Sequence, residues 1–477
     1  MACLACVCPG LNIKTMLNKS TKQKQAKRVA VIGAGWAGCA ASCNLAQQGH
    51  EVSLIEASRT LGGRARRVEI QGNFLDNGQH ILLGAYAATL DLMKTLGIER
   101  DEAFLTLPLQ MIYPPETGGM QFLAPKLPAP LHLLFALLRS TGLNRADKLA
   151  LARFSTTARW MGWQLHKDCS VSELLARFDQ TDRLCELMWV PLCLAALNTP
   201  PERASARVFL NVLRDSLGAK RYASDMLLPR LDLSSLLPNT AAKFLQQHGG
   251  NVVLGTTVKQ LRLEPSHKWV LECNHDVASL TGEWDAVVIA TQADHAADLV
   301  EKIHINEANQ NAGANLKTPA AFDYESITTV YLQYPQELLL DRPFYALQDK
   351  PKLLQWGQFV FDRGQLHQDQ KGLMAVIISA AANANQRSHA ELAEDVARQL
   401  AYTFKKTEFT QPIWQQVITE KRATFSCTPD LQRPDNTTPY ANLFIAGDYT
   451  ASDYPATLES AVRSGVQAAK LINLAKT

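Results

Sequence analysis

Four short stretches of this chain carry residues whose types and spacing could do chemistry. The first is "VAVIGAGWAGCAASCNLAQQGHEVSLIEA", in which Gly33, Gly35 and Gly38 precede Glu56. Gly33 permits a tight turn, Gly35 lets the backbone approach a pyrophosphate, and Gly38 lets a helix lie close to a strand. Trp36 and Ala37 then open that helix, whose free N–H groups and positive dipole end suit phosphate. Glu56 stands at the end of the next strand, where a carboxylate accepts from ribose hydroxyls. No arginine follows it directly, which argues against a ribose 2′-phosphate. The second stretch, "LGGRARR", sets Gly62 and Gly63 before Arg64. It offers a second close backbone approach and a fixed cationic fork, whereas Arg66 and Arg67 read equally well as solvated. The third, "FLDNGQHILLGAY", breaks an apolar run with Asp76, Asn77, Gly78, Gln79 and His80. The fourth, "AGDYTASDYPATLESAVRSG", follows a buried strand with Gly447 and Asp448 and leads through Tyr454, Ala456 and Thr457 into a helix.

The elements that must position these residues follow from patterning. Val29 to Ile32 read as a buried strand, the next stretch to Gln48 as a small-residue helix, and Glu51 to Ile55 as a second strand. "GGNVVLGTTVKQLRLE" (249–264) reads as a strand–turn–strand hairpin. Ala286 to Ala290 and Leu443 to Ala446 are further short buried strands. The spacing predicts an α/β chain: a Rossmann-like dinucleotide-binding unit from 28–110, 236–303 and 440–477, and a second, α+β unit from 111–235 and 304–439. Residues 111–240 are mostly helical in pattern, and 305–440 are strand-rich, predicting a mixed sheet that floors a largely apolar pocket. Leu131 to Leu138 is an apolar stretch interrupted only by His132. It has two readings, a core helix or a patch dipping into a membrane; His132 reads as packing or surface, not as a ligand. Residues 304–323 read as a mobile connection and 1–27 as a disordered tail.

Bulk properties bound the class. The 477 residues, 47% apolar and 19% charged, fit two or three globular units. A net charge of +3 without a long basic stripe excludes nucleic acid as a partner. Most of the ten cysteines follow no ligand spacing, which suits a reducing cytoplasm. Cys3, Cys6 and Cys8 lack a fourth metal ligand, so "MACLACVCPG" reads as an unstructured leader or a start placed too early, and no metal is expected. Six basic residues lie between Lys14 and Arg28; they read as a solvated tail or as weak attraction to an anionic membrane. No G-x-S-x-G elbow or Cys/His pair points to covalent hydrolysis.

Taken together, "LGGRARR", "LDNGQHILLGAY" and "AGDYTASDYPATLESAVRSG" resemble the FAD-dependent amine oxidase and phytoene desaturase superfamily. Within it they resemble the squalene-associated FAD-dependent desaturases, the hydroxysqualene dehydroxylases of bacterial hopanoid synthesis. The resemblance covers nearly the whole chain from Arg28, but not the cysteine-bearing leader. It implies a two-domain flavoenzyme of the GR2 type, FAD as cofactor, and a lipophilic triterpene substrate, hydroxysqualene reduced to squalene with loss of water; peripheral contact with the inner face of the cytoplasmic membrane stays one reading of the apolar stretch and the basic tail. It leaves the electron donor open. It places Arg64 along the pyrophosphate, Ala57 beside Glu56 at the ribose, the backbone of Val258 at the adenine, and Ala290 at the returning strand. Asp448 and Gly447 fall at the ribityl side, and the helix start at Ala456 and Thr457 at the flavin's pyrimidine oxygens. Asp76 to His80, with Asn77, Gly78 and Gln79, run beside the flavin ring. On that placement His80 is expected to act as acid or orienting donor, with Asp76 and Tyr454 as further candidates. Rival expectations are a carotenoid or squalene desaturase, an amine oxidase, and a non-redox prenyl-binding protein of the GDP-dissociation-inhibitor kind.

Overall fold

A computed structural model of the protein describes residues 26–305 and 322–474. The leader cysteines, the tail lysines up to Lys24 and most of the connection expected at 304–323 lie outside the described residues.

The strand Arg28–Ile32 is the centre of a five-stranded parallel sheet. Glu51–Glu56 and Ala286–Ile289 flank it, and Asn251–Leu254 and Leu443–Ile445 form the edges. The central strands are continuous apolar runs because helices cover them, as parallel sheets require. Trp36–Gln47 packs on one face with Leu458–Leu474 and Pro238–Gln247. The helices can meet closely because their contacts are small. A Cβ at Gly465 would stand 2.1 Å from the Ala37 carbonyl oxygen.

The segment 249–264 is not a hairpin. Asn251–Leu254 pairs in parallel with Glu51–Glu56, and Val258–Leu263 leaves to pair with Trp269–Cys273 in another sheet. Locally the pattern is strand–turn–strand. A free edge beside Glu51–Glu56 captured the first strand, and Gly255, at φ +69°, turns the chain away.

The second region holds a five-stranded sheet ordered Phe344–Ala346, Phe359–Asp362, Leu373–Ile378, Tyr324–Gln333, Trp414–Phe425. Every pairing is antiparallel, so the expected mixed sheet is corrected: Phe344–Ala346, Phe359–Asp362 and Leu373–Ile378 follow one another as adjacent strands, while Tyr324–Gln333 inserts between Leu373–Ile378 and Trp414–Phe425. One face, with Val330, Leu332, Val376 and Ile378, packs under the helix His389–Phe404. The alternate face, with Tyr331, Phe361 and Ala375, packs against Leu75 and Leu228. The sheet's period of two thus delivers Tyr331 to the segment that leads into Asp76–His80.

Residues 111–240 are chiefly helical. The apolar stretch after Asp182 forms a wide π turn, Cys185–Trp189, and continues as Val190–Leu197, ending at Asn198 in the left-handed conformation, ahead of Pro200. The wide turn adjoins Pro191, which has no N–H for the Leu187 carbonyl four residues back. The Tyr113 hydroxyl donates to that carbonyl instead, at 3.0 Å. Leu131–Arg139 divides its faces: His132, Ala136 and Leu137 are buried, whereas Leu131, Leu134, Phe135 and Leu138 are exposed. A small sheet of Leu82–Leu83, Met226–Pro229 and Phe104–Leu107 ties this region to the segment following His80. Among the described residues no helix is long and apolar enough to cross a membrane.

Candidate flavin and substrate site

The glycine loop is built by contact. Gly33 turns at φ +102°, and a Cβ there would lie 2.6 Å from the Ala290 carbonyl oxygen. A Cβ at Gly38 would meet the Gly33 carbonyl oxygen at 1.9 Å, so the helix can approach only without it. Gly35 is different: nothing lies within 4 Å of where its Cβ would be. No side chain caps the helix that begins at Trp36, and its first turn has no acid. Orphan N–H groups and a positive helix end therefore face open space, a cradle that fits a pyrophosphate. Glu56 closes the loop's edge, accepting from Ala34 N at 2.7 Å and Ser58 N at 2.9 Å. Thr256 N donates to the Glu56 carbonyl at 3.0 Å, which brings the strand start at buried Val258 to the same end as Ala57.

The second glycine pair lies directly on the first. Gly62 N donates to Ala34 O at 2.9 Å, and a Cβ on Gly63 would come within 3.2 Å of the Gly35 Cα. Arg64 then reaches the chain's other end. Its guanidinium donates to the Asp448 carboxylate at 2.6 Å and to the Ala423 carbonyl at 2.7 Å. Burial works against the Arg64 cation, but Asp448 outweighs it and holds the group above its ordinary pKa. Around the pair is a crevice lined by Gln292, Ala293, Tyr324, Phe425 and Tyr449. Arg66 braces the Gly63 carbonyl, and Arg67 lies over the Phe74 ring and near Asp232.

Gly78, at φ +116°, turns the Asp76–His80 segment, a conformation that asks for glycine. Asn77 fastens one side through its Nδ2, which donates to the Arg64 carbonyl and the Glu420 carboxylate, both at 3.1 Å. Gln79 fastens the other. Its Nε2 donates to the Tyr331 hydroxyl at 2.8 Å, and its Oε1 accepts from Arg363. Tyr331 in turn donates to the Asp76 carbonyl at 2.9 Å. Arg363, only 3% exposed, also stands 3.7 Å from the Asp76 carboxylate.

These contacts reassign the catalytic candidates. The Asp76 carboxylate is turned into this internal ring, where it also accepts from Leu233 N at 2.8 Å. It is a structural anchor. Burial pushes it up to about 6, against the pull of Arg363. The Tyr454 hydroxyl is spent on the Asp215 carboxylate, and its ring lies under Arg463. His80 stays open: its Nδ1 is buried without a partner. Burial lowers its pKa to about 4, against the Gly78 backbone, which favours the cation, and with a smaller contribution from the Arg64 charge. Of the two expected roles, acid or orienting donor, a resting cationic acid is disfavoured, and the ring is a neutral donor or acceptor at ordinary pH.

At the C-terminal stretch, Gly447 N donates to the Ser464 hydroxyl at 3.0 Å. Thr457 caps the following helix by accepting from Ser460 N at 3.2 Å, with Ala456 just before it. Arg433 ties this loop together through the carbonyls of Asp448, Ser452 and Tyr454. The sequence reading missed Arg433, Arg363, Tyr331 and Glu420. Arg363, Tyr331 and Glu420 lie more than 250 residues from what they hold, and Arg433 lies 15 to 21 residues away. The one local signal was an Asp–Arg pair at the end of an apolar run, in "FVFDRGQ".

A family model described as "Flavin containing amine oxidoreductase" matches residues 36–473. The chain belongs to this family. It is an oxidoreductase that uses FAD, and it is homologous to enzymes named hydroxysqualene dehydroxylase. That of Rhodopseudomonas palustris is 28% identical, over 94% of this chain and 98% of the relative. A zeta-carotene desaturase of Synechocystis sp. is 24% identical, over 93% and 97%. Among solved structures, cyclohexylamine oxidase from Brevibacterium oxydans shares the fold, with a TM-score of 0.63 at 16% identity over 94% of this chain and 99% of that one. The open cradle at Gly35 and the Glu56 edge fit the family's cofactor.

Proposed function

We propose that the protein reduces hydroxysqualene to squalene with loss of water, as a step of triterpene synthesis at the inner face of the cytoplasmic membrane. The observation that carries this reading is the near full-length likeness to hydroxysqualene dehydroxylases, together with a turn that leaves one buried imidazole nitrogen unpaired. The same reading assigns 28–110, 236–303 and 440–477 to cofactor binding and 111–235 with 304–439 to the substrate.

Bound in reduced form, FAD supplies a hydride for the allylic carbon and a proton for the departing oxygen. The protein's residues hold, orient and exclude water. Trp36, Ala37 and Gly38 present N–H groups to the pyrophosphate and Glu56 its carboxylate to the ribose. Arg64 and Asp448 pin the crevice between the two chain ends. His80, neutral, hydrogen-bonds the substrate hydroxyl and passes a proton without storing one, and the Gln79–Arg363–Tyr331 ring keeps it aimed.

The zeta-carotene desaturase likeness supports a second reading, the same cofactor run oxidatively on a polyene. Product analysis separates them. Hydroxysqualene with a reductant should give squalene. Turnover only of phytoene or squalene with an oxidant would replace the first reading by the second.

A further inference from the structure

Leu131, Leu134, Phe135 and Leu138 recur at i, i+3, i+4 and i+7 on one helix, and all four face solvent, from 36% to 60% exposed. A row of that spacing is the apolar stripe a helix ordinarily buries. Leu123, on the strand that packs against this helix, is also exposed, and so are Leu149 and Trp160 on the next helix, Arg145–Trp160.

The segment that carries the stripe is basic, and of its cations Arg153 is paired with Asp179 outside it. Residues 121–160 contain Lys126, Arg139, Arg145, Lys148, Arg153 and Arg159 against one acid, Asp147. Asp147 is 1% exposed and spent on the helix cap at Asn144. The chain as a whole carries +3, so everything outside this segment sums to about −2. Lys148 also closes the apolar helix, donating to the Leu138 and Ser140 carbonyls at 3.0 and 2.8 Å.

We propose that the exposed face of Leu131–Arg139 docks on a bilayer carrying anionic lipid, with the leucines and Phe135 entering the acyl boundary and the flanking arginines meeting the headgroups. An apolar stripe alone would fit many occupants; an apolar stripe bordered by cations, with no exposed acid in the segment, fits an anionic membrane surface. The helix is also linked to the segment that follows His80. Arg221 and Asp225, whose charges reach the buried His132 on its inner face, belong to the loop whose Asp225 carbonyl accepts from Gly84 N, four residues beyond His80. The inference rests on the proposed membrane-borne substrate and deepens it by naming the surface.

The test is vesicle flotation of the FAD-loaded, full-length protein. Vesicles of phosphatidylcholine alone are compared with vesicles containing phosphatidylglycerol at about one part in three. The parent should bind the anionic vesicles at least about tenfold more tightly. Leu134→Gln with Leu138→Gln should lose binding to both. Arg139→Gln, Arg145→Gln and Arg159→Gln together should reduce the preference to near parity. Neutralising Lys14, Lys19, Lys22 and Lys24 is the control; if it alone removes binding, or if the leucine variant floats like the parent, the proposal is wrong. Activity separates this from failure of the functional reading. In detergent the leucine variant should turn over hydroxysqualene like the parent, and lose turnover only when the substrate is in vesicles. A parent inactive in detergent would overturn the functional reading while flotation still decides the docking surface.

Discussion

His80 is held uncharged in the fold, so acid should destabilise the protein through this one ring. Its pKa is about 4 when folded and near 6.5 in an unfolded chain. Between these values the unfolded state binds a proton that the folded state refuses. Stability contributed by the neutral ring is complete above the unfolded value and is lost as pH falls through 6.5 toward 4. From about pH 7 to about pH 5 the loss is about 2 kcal/mol. Asp76 works in the opposite sense: pushed up to about 6, its carboxyl favours the fold while protonated, and that contribution is lost as pH rises through 4 toward 6. The difference between the parent and His80→Gln cancels Asp76 and isolates the ring. Urea unfolding of both proteins at a series of pH values measures it. The parent's advantage should fall by about 2 kcal/mol across that interval, and product formation should not rise on acidification through 6.5. A flat difference would refute the neutral ring, and a rate that climbs tenfold per unit of acid would refute its acting uncharged.

Other changes separate cofactor binding from folding. Gly35→Ala adds a methyl into open space, so the FAD-free melting temperature should hold while flavin retention falls at least about tenfold. Gly38→Ala drives a Cβ onto the Gly33 carbonyl oxygen, and the FAD-free protein should itself melt early, by about 2–4 kcal/mol in urea titration. Arg363→Met leaves Asp76 buried without its cation and should cost about 3–5 kcal/mol, part of it recovered by adding Asp76→Asn. Tyr113→Phe strands the Leu187 carbonyl beside Pro191 and should cost about 1–3 kcal/mol, with bound flavin unchanged.

The parts of the site that were legible are those that local sequence determines. Gly33, Gly35, Gly38 and Glu56 sit in one strand–helix–strand unit, so their spacing alone places them on one loop. Arg64 meeting Asp448 was foreshadowed only by resemblance, because 384 residues separate them. The ring of Asp76, Gln79, Tyr331 and Arg363 was illegible for the same reason: a strand's alternation tells that Tyr331 faces one side, not what lies there. Asp76 and Tyr454 looked free because a sequence does not display the Leu233 N–H or the Asp215 carboxylate that engages each. The mistaken hairpin at 249–264 had another cause. A turn signal fixes where a chain bends, and only the free edge at Glu51–Glu56 decides which strand the first half joins.

The most direct measurement is an anaerobic single turnover. The purified protein is reduced until the flavin's long-wavelength absorbance is bleached, then mixed with hydroxysqualene. The absorbance should return in step with squalene, one per flavin, and more slowly in His80→Phe than in the parent. Flavin that stays bleached with hydroxysqualene, while the oxidised protein is bleached by phytoene or squalene, would contradict the account.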